Sequence, residues 1–151
     1  MCLVTKDPTI HILEEDMIVY KLVKLELDGR YRSYFRFDYY YIENQLHFRD
    51  KLIGKIYESI NEAEEDRITY ADTETIKKFG FRPGYLKEWV VDEKISVFRE
   101  GFHFCESLER AKKFNADHKD IVKFTVPKGA EVVYDRFGLG VCNKIICTPN
   151  K

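Results

Sequence analysis

The chain has no charge bias: 25 Lys and Arg stand against 26 Asp and Glu, for a net charge of -1. No basic excess draws the whole molecule onto nucleic acid or anionic lipid. No apolar run approaches the ~20 residues of a membrane-spanning helix. The opening Met1-Cys2-Leu3-Val4-Thr5-Lys6-Asp7-Pro8 lacks the basic-then-apolar order of a secretory signal. The expectation is a cytoplasmic protein with no membrane partner. Cysteine is scarce, at four residues (Cys2, Cys105, Cys142 and Cys147), and no C-x-x-C pair occurs. Free thiols are expected over disulfides, and no metal site is expected, because the spacing does not suit zinc. Repeats, low-complexity tracts and Pro/Gly/Ser linkers are also missing. Residues 1–151 read as a single domain, long enough to bury a core without staples.

What is present is globular: 44% hydrophobic and 34% charged residues, with ten Tyr, eleven Phe and one Trp. Residues 17–27 and 31–42 are strand-like and flank Asp28-Gly29, the strongest short-range hairpin signal. A two-residue loop makes paired positions sum to 57; a loop one residue longer makes them sum to 58. Both registers give coherent faces, so the pattern fixes the hairpin and leaves its register open. Around Ile56, Ile60 and Ala63 the spacings of three and four, set among acidic residues 58–66, predict a short amphipathic helix. A second helical piece is expected over residues 72–79, and a third from the cap Ser107 over Leu108 to Ala116. Strands are expected at 95–98, 101–105, 121–126, 131–134 and 141–147, with Val122, Phe124 and Val126 pointing one way. The fold class implied is α+β, a mainly antiparallel sheet with two or three short helices.

Four features carry candidate chemistry, each with a plainer alternative. Cys2, once Met1 is removed, would pair a thiol with a free α-amine, as in N-terminal nucleophile enzymes; otherwise it is a small apolar residue at a chain end. His103 and Cys105 alternate with Phe102 and Phe104 on one strand, so they share the opposite face. That face leads to Ser107, where a helix start offers N–H groups to an anion. His103, Cys105, Ser107, Tyr20 and Tyr34 form the candidate ligand-binding set, against a reading in which His103 is a satisfied structural residue. Arg30 to Phe37 interleaves arginine with aromatics, which suits stacked single-stranded nucleic acid, or an ordinary half-buried strand; the neutral total charge favours the strand. Gly138-Leu139-Gly140 lacks the third glycine and the helix of a dinucleotide fingerprint, and reads as a turn. No catalytic residue is assigned, and no cofactor is implied by the residues themselves.

Several segments resemble an uncharacterised group of small bacterial and phage proteins. They are Met1 to Lys6, Glu15 to Lys21 with Ser33 beyond, Gly101-Phe102-His103-Phe104-Cys105-Glu106-Ser107-Leu108-Glu109, Pro127 to Ala130, and Lys144 to Ile146. The resemblance implies a cytoplasmic, single-domain, phage-related protein and brings no activity. Gly101 to Phe114, followed by Val122 to Gly129, is also similar to the strand-helix segment lining the nicotinamide pocket of ADP-ribosyltransferases. In that family a Glu on a later strand orients the ribose, whereas Gly140 to Ile146 here contains no Glu. This second resemblance implies binding of NAD or a related nucleotide without transfer. Three functions therefore stand as expectations: an accessory or interaction domain with a protein partner, a domain for a small nucleotide-like ligand, and a Cys2 thiol enzyme.

Overall fold

A computed structural model describes residues 3–5, 7–34, 39–59, 62, 94–113, 120–135 and 138–150. In chain order the described elements are β1 (Leu3–Thr5), β2 (His11–Ile12), β3 (Met17–Leu25), β4 (Tyr31–Ser33), β5 (Tyr40–Tyr41), β6 (Leu46–Phe48), β7 (Lys55–Tyr57), β8 (Ile95–Phe98), β9 (Phe102–Cys105), α1 (Leu108–Lys112), β10 (Ile121–Val126), β11 (Glu131–Tyr134), β12 (Leu139–Cys142) and β13 (Lys144–Cys147). The class is nearly all-β, and the expected α+β fold with several helices is corrected. The helix expected around Ile56 begins instead as β7, with Ile56 opposite Ser96 of β8. Three apolar residues at helical spacing do not outweigh a waiting sheet edge. Of the rest of that stretch, residues 58, 59 and 62 are described: Glu62 is helical, and its N donates to Ser59 Oγ at 3.2 Å. The other residues of the stretch, and the helix expected over 72–79, lie outside the described residues. The third helix exists as α1: Ser107 Oγ accepts from Arg110 N at 3.1 Å, and Ala111 is buried beneath it. A helix of five residues does not persist alone; the cap and that contact hold it.

The larger sheet runs β2-β11-β12-β9-β3-β10-β13-β6, with β4 on β3 and β5 on β4; the smaller runs β1-β8-β7. All these pairings are antiparallel. One residue, Asn143, separates β12 from β13, yet three strands lie between them in the sheet order. The sheet therefore curls until β12 and β13 meet end to end, and Asn143 is the corner where the chain switches halves. Its Oδ1 accepts from Glu131 N at 2.8 Å, its N donates to Glu131 O at 3.2 Å, and its O accepts from Arg49 N at 2.8 Å.

Period-two alternation fills both faces of the sheet. Val19 and Val23 of β3, Phe102 and Phe104 of β9, Phe124 and Val126 of β10 and Cys142 of β12 form the inner core. Leu22, Cys105, Leu139 and Val141 form the outer one, with Leu3, Phe98 and Ala111 over them. Each large side chain so enclosed contributes about 1.5–3 kcal/mol. Val122, Phe124 and Val126 are all buried, as their alternation predicts. The hairpin at Asp28-Gly29 forms in a third register: Val23 faces Ser33, Lys24 faces Arg32 and Leu25 faces Tyr31. Glu26 N donates to Arg30 O at 2.8 Å and Gly29 N to Glu26 O at 3.0 Å, with Gly29 at φ +86°. This three-residue loop needs a left-handed residue at its end, which glycine supplies. The second arm does not run straight to Ile42. It turns back after Ser33, and Tyr41 pairs with Tyr31.

Candidate functional site

The sheet's curl gathers an aromatic cluster around β5, β6 and β9. Tyr41 lies 5.0 Å, centroid to centroid, from each of Tyr39, His47 and Phe124, and Tyr39 lies 5.9 Å from Phe102. His47 alternates with Leu46 and Phe48, so it turns inward while they face out. Its Nε2 accepts from Ile42 N at 3.4 Å, and its Nδ1 meets Tyr39 Oη at 3.1 Å. With Nε2 an acceptor, Nδ1 carries the proton and Tyr39 Oη receives it. Burial lowers the His47 pKa, which keeps the ring neutral.

Two cations sit on this cluster. Lys21 lies on the inner face of β3 between Val19 and Val23 and is only 7% exposed. Its Nζ donates to His103 O and stands 5.4 Å from the Tyr41 ring centroid. Burial pushes its pKa down to about 8. The nearby thiols of Cys105 and Cys142 do little to prevent this, because burial pushes each up to about 12 and they stay protonated. Arg49 follows β6 directly. Its guanidinium carbon stands 5.5 Å from the Tyr39 ring and 5.7 Å from the Phe102 ring. Its Nε is buried and has no hydrogen-bond partner among the described residues.

Arg49 also lines an open cleft of about 420 Å³ formed by residues 48–53 with Glu100 and Gly101. Gly101 is required there: at φ +112°, an added Cβ would come within 2.7 Å of Val141 Cγ2 and 2.9 Å of Leu52 Cδ2. Comparison with family models, curated proteins and solved structures finds no match to this chain. Geometry and chemistry alone therefore carry the functional reading.

Of the sequence-expected set, Tyr20 and Tyr34 pack on the outer core that contains Cys105, and Tyr20 pairs with Cys105 across the strands. Tyr34 Oη donates to the Asp120 carboxylate. His103 Nε2 meets Phe98 O at 3.2 Å. Ser107 is spent on its helix cap. None of the five lines the cleft. Cys105, Cys142 and Cys147 are free and buried; Cys2 lies outside the described residues. Arg30 and Arg32 meet Asp28 at 2.7 Å and Glu26 at 2.9 Å, while residues 35–38 of that segment lie outside the described residues. Among the described residues, no group of three or more His, Cys, Asp or Glu is placed to hold a metal ion. No helix among them is long and apolar enough to cross a membrane.

Sequence reasoning missed Arg49, Lys21, Tyr39, Tyr41 and His47. One signal was available: a lysine in the apolar row Val19, Lys21, Val23 breaks the alternation that otherwise describes β3. Another was His47 and Arg49, two apart beyond the run Tyr39-Tyr40-Tyr41.

Proposed function

We propose that this domain is an accessory binding module that captures an oxyanion-bearing ligand, carboxylate or phosphate, on Arg49 in the cleft. The observation that carries the proposal is Arg49 itself: the residue lines the cleft, and its buried Nε has no hydrogen-bond partner among the described residues. A buried N–H without an acceptor is costly, and an oxyanion drawn to the guanidinium lowers that cost through charge-assisted hydrogen bonds. The two rings beneath it hold the fork in place before the ligand arrives. At about 420 Å³ the cleft falls in the size range of ligand sites, ~300–1,000 Å³. Lys51 adds a second cation, while Asp50 and Glu100 restrict how much negative charge is welcome. A nucleotide phosphate is one ligand of this class.

The test is an NMR titration with inorganic phosphate and with acetate. The Arg49 Nε–Hε signal and the amides of 48–53 and 100–101 should shift, and Arg49→Gln should remove the response. If these signals stay still at tens of millimolar of both anions, the reading is wrong.

A further inference from the structure

Resting on the reading of Arg49 as an oxyanion site, we infer that the natural oxyanion is the C-terminal carboxylate of an extended peptide that adds a strand to β6. Three observations converge. Among the described residues β6 pairs on one side only, with β13: Leu46 faces Ile146, His47 faces Ile145 and Phe48 faces Lys144. Its outward side chains are apolar and uncovered, Leu46 at 46% and Phe48 at 69% exposure. Edge strands are ordinarily guarded by charge or proline; the three residues of β6 carry neither. The third observation is position. Arg49 is the residue after β6, and Phe48 and Arg49 both line the cleft.

A strand laid along β6 therefore reaches Arg49 at one end. For its carboxylate to land there, the peptide runs parallel to β6. Backbone N–H and C=O groups then supply the pairing, Leu46 and Phe48 select apolar side chains at alternate positions, and Arg49 reads the terminus. Past Arg49, buried Leu52 and half-buried Gly101 bound the cleft, so the site suits a chain end rather than a chain passing through.

The probe is acetyl-Ser-Val-Ser-Val as the free acid, compared with its C-terminal amide and followed by NMR on the full chain. The expected result is shifts at residues 46–49 with the free acid, and binding at least tenfold weaker for the amide. Leu46→Lys, an exposed change that places a guard on the edge, should weaken the peptide at least fivefold while leaving the acetate response of Arg49 intact. Equal binding of acid and amide, or an acetate response with no peptide binding, overturns the peptide inference and leaves the oxyanion reading standing. Loss of every anion response overturns both.

Discussion

Lys21 and Arg49 sit on two sides of one aromatic cluster, and the sheet treats them differently. Lys21 is enclosed, has a carbonyl acceptor and faces Tyr41. Arg49 is half-buried, lies over Tyr39 and Phe102, and its Nε has no acceptor among the described residues. An ammonium in such a place can give up its proton, and Lys21 moves toward doing so, down to about 8. A guanidinium cannot. The inner cation can answer its burial by losing charge, whereas the outer one keeps its charge and needs an acceptor. The inner position thus reads as architecture with a titratable cost, and the outer one as a site.

Removing Phe102 should break both halves of this comparison, since its ring stands under Arg49 and 6.1 Å from Tyr41. Phe102→Ala should cost about 3–5 kcal/mol in chemical denaturation, and the phosphate response at 48–53 should disappear. If the response survives the stability loss, the ring is not the platform for Arg49.

Lys21→Met sharpens the inner half. Replacing a buried charge with an apolar side chain of similar length should stabilise the fold at pH 7 by about 1–3 kcal/mol. The gap should then narrow as pH rises from about 8 to 10.5. In that window the folded parent has shed the Lys21 proton while the unfolded chain still binds it, so the parent gains stability. The parent's own curve is mixed. Three thiols raised from 9.0 to about 12 lose their stabilising effect as pH climbs through that range. The difference between the two proteins cancels those thiols, and a gap that stays flat from pH 8 to 10.5 would refute the assignment to Lys21.

Ser107→Ala is the smallest test and separates the cleft from the site expected at Gly101–Ser107. Loss of the cap bond to Arg110 N should cost about 1 kcal/mol, with the phosphate response at Arg49 unchanged. A weakened response would extend the site to the helix start.

Local chemistry was legible in the sequence where it is decided locally. Asp28-Gly29 marks its turn, Ser107 its cap, and the alternation over 121–126 its buried face. Register was not, because the loop closes with Gly29 left-handed and gives sums of 56 rather than 57 or 58. The cleft was illegible for a related reason. Arg49 gains meaning only because β6 pairs with β13 about a hundred residues away, and because Tyr39, just before β5, and Phe102 of β9 meet beneath it. The face shared by His103 and Cys105 follows from period two, but not the layer of β1, β8 and α1 that covers it.

The pairing of β3 with β10 has a consequence for the timing of synthesis. Val19 ends fully enclosed against Phe124, its partner across the strands, yet about a hundred residues separate them. At roughly 5–20 residues per second, β3 leaves the ribosome about 5–20 seconds before the strand that covers it. Until then Val19 lacks its cover, because the early partner β4 reaches only Val23 to Leu25. The newborn chain is thus open to sticking to its neighbours at residues the finished molecule encloses completely, Val19 and Val23, and a chaperone that holds Met17–Leu25 would shield them until residue 126 emerges.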